Sequence, residues 1–322
     1  MALEKKGFNI KEHIYSFGVV FVLILLCIIM TIATPRFLTA DNLRNVGAQA
    51  VVNSIVSIGM FLAILTAGID LSVGSVLALS TMIMGLFVRN FNLNPILAMI
   101  LCLGTGGLLG LCNGLMLTKL RLPHPFISTL GMKQMARGLA LVVTASQPIS
   151  GFAMKHKIWA GYTNNITEIS IGLVIVLYVF MYIFLTRTAT GRYIYAVGGN
   201  KEASRLSGIN VDGILNLVYV ISGGMAALAG LVLVGRTDSA YPLAGTDYET
   251  DAIAAVIIGG ASFFGGIGRI GNTIVGVLLI AVLRNGLNLL RVDANLQTFA
   301  IGAVIVLAVW VDVIRQRTMK KA

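Results

Sequence analysis

The chain has 322 residues, of which 57% are hydrophobic and only 11% are charged. An average soluble domain carries about 25% charged residues, so this composition excludes an ordinary soluble enzyme. A transmembrane helix needs roughly 20 mostly apolar residues, and many such runs follow one another here, separated by short charged turns. The sequence therefore predicts an all-α polytopic membrane protein in contact with lipid. In such a protein the net charge of +11 is first an orientation signal and does not indicate a nucleic-acid partner.

The first apolar run, residues 15–34, follows three lysines, and it is predicted to be an uncleaved anchor because it is too long for a typical signal peptide. Nine further runs follow, at residues 45–67, 72–88, 95–118, 126–144, 169–186, 214–234, 251–264, 271–290 and 296–314. The sequence thus predicts about ten transmembrane helices in one domain, residues 15–314. This domain lies between a cytoplasmic N-terminus, residues 1–14, and a cytoplasmic tail, residues 315–322.

The distribution of basic residues supports this topology. With the N-terminus inside, ten crossings place Lys119, the basic loop 187–205 and the basic tail in the cytoplasm, as lysine and arginine prefer. The loop 235–250, which has a single basic residue, falls outside. Lys155 and Lys157 also fall outside and oppose the assignment. An even number of crossings is therefore better supported than ten in particular.

Two of the ten segments are short for a crossing. The run 72–88 is barely long enough, and the run 251–264 is too short and is followed by several glycines. Both begin beside an acid, Asp70 in one and Asp251 in the other. Broken helices at matching positions in two halves of a chain point to a transport pathway. It is an equally good interpretation that these are two ordinary helices with N-caps, because Asp and Ser are common N-cap residues.

Gly106, Gly110 and Gly114 lie four residues apart in the run 95–118. They form one helical face without side chains, which permits close helix packing. Packing within one subunit is favoured over packing between two. The three cysteines, at positions 27, 102 and 112, lie in apolar runs without a pairing or metal-binding spacing, and they are interpreted as small buried hydrophobes. Neither a metal nor a cofactor is expected.

Catalytic chemistry has little support in the sequence. There is no phosphate-binding loop, so the chain is not expected to bind ATP itself, and no nucleophile, base and orienting group cluster together. An Asp at a helix centre costs about 2.5–3.5 kcal/mol in a membrane and is functional by default. Polar side chains near the short segments are candidates for binding sugar hydroxyls or, at the acids, an ion. The candidate pathway residues are Asn53, Asp70, Ser72, Ser75, Asp251 and Asn285, although an Asn such as Asn285 more often ties helices together.

The cytoplasmic loop 187–213 carries a candidate coupling segment. Asn200 is suited to cap a short helix that ends at Gly208, the usual left-handed stop. A short solvated helix between two spans transmits force only if another protein docks on it. A basic loop held by the inner leaflet is an equally good interpretation from composition.

Several segments spread over nearly the whole chain match one known family in the family's order. They are residues 68–75 (GIDLSVGS), 191–200 (GRYIYAVGGN), 202–203 (EA), 205–211 (RLSGINV), 248–249 (YE), 251–255 (DAIAA), 259–260 (GG), 268–269 (GR) and 285–289 (NGLNL). In these segments the chain resembles the membrane subunits of bacterial ABC importers for monosaccharides, the family that includes the ribose, xylose, arabinose and galactoside permeases. Ribose is the sugar that the overall likeness favours.

The resemblance implies a homodimeric permease of the bacterial inner membrane with about ten spans in each subunit. A periplasmic sugar-binding protein would deliver the sugar, and a separate cytoplasmic ATPase subunit would supply the energy. The family's coupling segment corresponds here to Arg192, Glu202, Ala203, Ser204 and Gly208, with Ser204 in place of the family's Ala. The residues alone leave an ion-coupled secondary transporter of a small polar solute as the alternative. A membrane-embedded enzyme would need a catalytic cluster that the sequence does not show.

Overall fold

The computed structural model describes residues 10–152 and 166–319, with side chains described for 18–152 and 166–314. The elements are α1 (Ile10–Ala33), α2 (Ala40–Leu65), α3 (Val73–Phe91), α4 (Pro95–Thr118), α5 (Pro125–Val142), β1 (Ile149–Ser150), α6 (Ile166–Arg187), α7 (Ala189–Gly199), α8 (Lys201–Leu206), α9 (Val211–Thr237), β2 (Ser239–Ala240), α10 (Tyr248–Ile258), α11 (Ile270–Leu289) and α12 (Ala294–Met319). The predicted helical class is confirmed. Lys5, Lys6, Lys155 and Lys157 lie outside the described residues, as do the side chains of Lys11 and of the basic tail.

Each of the ten apolar runs falls on a helix, but the helices differ in their ability to cross a bilayer. Seven helices in the described part of the chain are long and apolar enough to span: α2, α3, α4, α6, α9, α11 and α12. α5 is not among them and carries Lys133 and Arg137. α10 has only 11 residues and ends at Ile258, so the segment predicted at 251–264 is shorter than expected. A turn at Gly260, whose φ of +88° suits glycine, follows it.

The core of the bundle is built on α2 and α9. From Ala50 to Leu65 every residue of α2 is buried, which explains why this helix is apolar on all sides. α9 packs on α4 almost without intervening side chains: a Cβ at Gly106 would overlap Gly223, and one at Gly110 would overlap the carbonyl of Tyr219. A Cβ at Gly114 would lie 2.7 Å from the Asn216 side chain. The glycine face of α4 therefore contacts α9 of the same subunit.

The periphery of the bundle is apolar and exposed, as expected of helices that face lipid. Large hydrophobic side chains such as Phe21 on α1, Phe180 on α6 and Phe299 on α12 are exposed. Cys102 is buried as predicted, but Cys27 is only partly buried and Cys112 is exposed on α4. The prediction that all three cysteines are buried is therefore wrong. Cys112 is exposed because α4 turns its glycine side toward the core, and Cys27 lies on α1, a helix at the periphery.

The two ends of the bundle are joined by different contacts. At one end, Arg121, which follows α4, lies 3.7 Å from Asp212 at the start of α9. At the opposite end, β1 and β2 form a short antiparallel ribbon in which Ile149 pairs with Ala240. The loop after α4 and the segment α7–α8, both basic in sequence, thus lie at the same end.

Candidate functional site

The two breaks predicted from the sequence meet inside the bundle. The first lies at residues 66–72, between α2 and α3, and the second at residues 241–247, before α10. Gly74, in the first turn of α3, lies directly on Gly245: a Cβ at Gly74 would overlap the Gly245 carbonyl oxygen. The N-termini of α3 and α10 therefore converge, although Gly74 and Gly245 are far apart in sequence.

Asp70 organises the first break. Its carboxylate is 1% exposed, and one oxygen accepts hydrogen bonds from the Ser72 amide (2.9 Å) and hydroxyl (2.6 Å). The other oxygen accepts from the hydroxyl of Ser222 on α9 (2.7 Å). Asn113 on α4 donates to the Ser72 hydroxyl (2.8 Å). Because a buried charged acceptor needs such donors, this network fixes the unwound segment to α4 and α9.

The second break is held by ion pairs instead. Lys133 of α5 lies 2.5 Å from Glu249, and Arg284 of α11 binds Asp251 through two hydrogen bonds of 2.7 and 2.8 Å. Both carboxylates are nearly buried, whereas Lys133 and Arg284 keep 35% and 28% of their side chains exposed. Arg137 also donates to two carbonyl oxygens of the 241–247 loop, at 2.5 and 2.9 Å. Basic side chains of α5 and α11 therefore clamp the start of α10.

The remaining predicted pathway residues divide into two groups. Asn53 lies within hydrogen-bonding reach of Asp251, and Ser75 is buried in the first turn of α3, so both belong to the convergence of the breaks. Asn285 instead exchanges two hydrogen bonds with Asn42, of 2.8 and 2.9 Å, and ties α11 to the start of α2. The geometry at Asn285 is that of a helix-tying pair.

Sequence reasoning missed the basic partners Lys133, Arg137 and Arg284. The sequence does contain a signal for them, because all three are basic residues inside apolar runs. Burying an ionisable side chain in a membrane costs free energy, so such a residue usually has a partner. It also missed the role of Ser222, since a serine in an apolar helix carries no signal of its own.

The coupling segment folds locally as expected. The Asn200 side chain accepts a hydrogen bond from the Ala203 amide (3.0 Å) and caps α8, and Gly208 follows α8 with φ +82°. Ser204 is buried and donates to the Asn200 carbonyl (2.8 Å), so it supports the helix from inside. Partial burial lowers the pKa of Lys201 at the start of α8. The short capped helix α8 is therefore a preformed element at one end of the bundle.

The outward side of this segment is exposed. Arg192 on α7 and Glu202 and Ala203 on α8 are all exposed, in contrast to Ser204. The most exposed apolar side chain of α8 is Leu206, at 89%. Sequence reasoning did not select Leu206, which projects beside the exposed ion pair between Glu202 and Arg205. Such a combination of an apolar side chain with charges suits contact with another protein.

This architecture, with broken helices converging inside an apolar bundle and a short capped helix at one end, defines the membrane-embedded component of a transporter. Comparison with known proteins identifies the family. The family described as the permease component of branched-chain amino acid transport systems matches residues 42–309. The chain belongs to this family. No solved structure matches the chain.

Several curated relatives are named as transport permeases for sugars. The chain is 41% identical to the ribose import permease of Bacillus subtilis strain 168, over 96% of both chains. It is 42% identical to the ribose import permease of Escherichia coli K12, over 90% of this chain and 91% of that one. Identity to the D-allose transport system permease of E. coli K12 is 40%, over 97% and 95%. The predicted resemblance to the monosaccharide importer permeases is confirmed, and the chain is a multi-pass transport protein of the bacterial inner membrane.

Proposed function

We propose that this chain is the permease subunit of an ATP-binding-cassette importer that moves a monosaccharide into the cytoplasm. The observation that carries the proposal is end-to-end similarity to permeases named for ribose import. Ribose is the preferred substrate. Because a permease named for D-allose is almost as similar in sequence to this chain, the similarity supports a monosaccharide more strongly than it supports ribose in particular. The chain has no catalytic role of its own in this scheme, and ATP hydrolysis takes place on a separate subunit.

The proposed topology has ten crossings and both termini in the cytoplasm. In support, the loop after α4, the segment α7–α8 and the loop 259–269 share one end of the bundle, where Tyr195 contacts Gly268 and Arg121 contacts Asp212. The opposite end holds the ribbon of β1 and β2 and the ion pair between Arg44 and Glu168. The basic loops mark the first end as cytoplasmic. The loop 241–247 and α10 would together make one of these crossings, starting from the outer side.

The sugar pathway is proposed to run beside the converging breaks. Asp70, Ser72 and Ser75 are each at most 1% exposed, so the interior of one subunit is packed around them. Side chains bordering the second break are more open: Gln134 and Thr246 are exposed, and Lys133 is partly exposed. A pathway along this open side would need a second copy of the chain to complete it, so the proposal includes the homodimer that the family resemblance implies. Polar groups there provide donors and acceptors for hydroxyl groups.

Two further partners follow from the proposed function. The ATPase subunit would dock on α8, with Leu206 as an apolar contact beside Glu202 and Arg205. The periplasmic sugar-binding protein would dock on the outer loops, including residues 236–249. Rocking of the two permease copies between outward and inward access would then move the sugar.

The ion-coupled alternative is weakened by the charge pairing of the acids. Asp251 is engaged by Arg284 through two hydrogen bonds, and Glu249 is engaged by Lys133. Both oxygens of Asp70 already accept hydrogen bonds from serine donors. An ion site at these carboxylates would have to displace those partners.

Purification of the tagged chain with its neighbouring gene products tests the proposal. We expect an ATPase to copurify and its ATP hydrolysis to be stimulated by binding protein loaded with ribose. Leu206→Asp should reduce the amount of copurified ATPase, because it places a charge in an apolar contact, whereas Leu206→Met should leave it unchanged. Absence of any associated ATPase from folded permease would contradict the proposed function.

A further inference from the structure

The end of α7 is packed into a contact made almost entirely of backbone. A Cβ at Gly198 would overlap the carbonyl oxygen of Leu65, the last residue of α2, and would lie 2.7 Å from the Gly266 amide nitrogen. The same Leu65 carbonyl accepts a hydrogen bond of 2.9 Å from that amide. A Cβ at Gly265 would lie 2.7 Å from the Gly198 carbonyl oxygen and 2.8 Å from Ala67. We name residues 65–67, Gly198 and residues 265–266 the glycine junction.

The glycine junction joins three functional segments of the chain. Residues 65–67 lead directly into the Asp70 break, and residues 265–266 follow α10, the helix that starts at the second break. Gly198 leads through the capping residue Asn200 into α8. The candidate coupling helix is thus connected through one small contact to the cytoplasmic ends of both broken segments.

A side-chain contact reinforces the same connection. The Tyr195 hydroxyl, one turn before the junction on α7, donates a hydrogen bond of 2.9 Å to the Gly268 carbonyl oxygen. Partial burial raises the pKa of Tyr195, so the hydroxyl remains a donor across the physiological range. α7 is therefore bonded to the loop that follows α10 as well as packed against it.

Backbone contacts of this kind transmit displacement with little loss. Flexible side chains can absorb a small shift by changing rotamer, but three glycine backbones in contact have no rotamers to change. Gly265 and Gly266 have φ values of +85° and +71°, which L residues rarely adopt, so the loop conformation depends on them. A shift of α7 must move both neighbouring segments or break the contact.

We propose that the glycine junction is the mechanical link that passes movement of the docked ATPase from α8 to both broken segments together, with Gly198 and Tyr195 as its positioning residues. This inference rests on the proposed function, since it needs an ATPase that docks on α8. It adds a route by which one cytoplasmic event acts on two breaks that are widely separated in sequence.

Two neighbouring glycines give a matched test. In Gly198→Ala the new methyl group would overlap Leu65, whereas in Gly199→Ala it would meet no atom within 4 Å. Tyr195→Phe removes only the hydrogen bond to Gly268. The complete complex, reconstituted in proteoliposomes with its ATPase and loaded binding protein, is assayed for copurified ATPase, basal hydrolysis, stimulated hydrolysis and sugar uptake.

We expect Gly198→Ala to keep the ATPase and its basal hydrolysis but to lose uptake and binding-protein stimulation by roughly tenfold, a typical size for a coupling between sites. Tyr195→Phe should lower the same two quantities by roughly threefold, as expected for one hydrogen bond. Gly199→Ala should behave as the unaltered protein. If Gly198→Ala does not assemble, Tyr195→Phe decides the question.

The outcomes separate the two proposals. If the unaltered complex transports normally and both Gly198→Ala and Tyr195→Phe match Gly199→Ala, the glycine junction is not the link. If the unaltered complex shows no ATP-driven uptake at all, the proposed function fails and this inference falls with it. A loss of basal hydrolysis in parallel with stimulation would also overturn it, because that pattern indicates a general structural defect.

Discussion

The two breaks begin with the same sequence feature, an acid beside a short apolar helix, yet they are stabilised differently. At the first, serine hydroxyls and an amide hold Asp70, and no cation contacts it among the described hydrogen bonds and ion pairs. At the second, lysine and arginine from two other helices hold Glu249 and Asp251. Short donors leave the first break little freedom, whereas long, partly exposed basic side chains can follow movement. We therefore interpret the first break as the part of the site that keeps its internal shape when it moves, and the second as the part that can deform.

The largest effect is expected from replacing Arg284, the basic partner of Asp251 at the second break. Arg284→Leu leaves the Asp251 carboxylate buried without its partner, which should lower the free energy of unfolding by about 3 kcal/mol. Thermal unfolding of the purified permease in detergent measures this. The double variant Arg284→Leu with Asp251→Asn removes the unpaired charge and should recover most of the loss. Equal unfolding temperatures for the single variant and the unaltered protein would show that the pair is not stabilising.

A smaller loss is expected when the charge of the first break is removed. Asp70→Asn replaces one accepting oxygen with an NH2 group that faces a donor, so stability should fall by about 2 kcal/mol. Uptake should fall as well, because the unwound segment loses its fixed position. The same unfolding and uptake measurements apply, with Ser222→Ala as a milder variant of the network. Normal uptake kinetics in Asp70→Asn would indicate that this acid only caps a helix.

Lys133→Met is expected to lower sugar uptake more than it lowers the stability of the permease. Because Lys133 makes one hydrogen bond to Glu249 where Arg284 makes two to Asp251, the stability loss should be smaller, about 1.5 kcal/mol. Uptake should fall several-fold if the pair guides the second break. Lys133→Arg, which keeps the charge, is the control. A large stability loss with unchanged uptake would reverse the assignment of the rigid and the deformable break.

The smallest effect is expected away from both breaks. Replacing both Asn42 and Asn285 with Ala removes the reciprocal hydrogen-bonded pair together. Of the buried groups bonded to these two side chains, the Phe37 carbonyl oxygen loses its bond from Asn42 (2.8 Å), so stability should fall by about 1 kcal/mol. Uptake should stay close to that of the unaltered protein, since these residues tie α2 to α11. Uptake measured across sugar concentrations checks this. A changed apparent affinity would place Asn285 on the pathway after all.

Much of the fold was predictable because hydrophobicity marks each membrane helix separately. The short length of α10 and the break near Asp70 were also visible, since both depend on local sequence. The cap at Asn200 and the stop at Gly208 follow rules that span only a few residues, and both were predicted correctly. Local patterns thus determined the helices, the breaks and the short helix α8.

The partners of the acids could not be derived in the same way. Lys133 reaches Glu249 from a different helix, and nothing in either local sequence specifies the pairing. The inward direction of Ser204 depends on how α8 sits on its neighbours, so the family pattern alone did not show that it is buried. Asn285 and Asp251 are both polar residues in apolar runs, and the sequence does not distinguish their roles. The packing shows that Asn285 pairs with Asn42, whereas Asp251 binds Arg284.

The most direct test of the central claim is uptake of radiolabelled ribose into proteoliposomes that contain the permease and its ATPase. ATP is supplied on the side of α8 and ribose-loaded binding protein on the opposite side, with ionophores added to collapse ion gradients. The proposed function predicts uptake that requires both ATP and binding protein and is insensitive to the ionophores. Uptake by the permease alone, driven by a sodium or proton gradient without ATP, would contradict it.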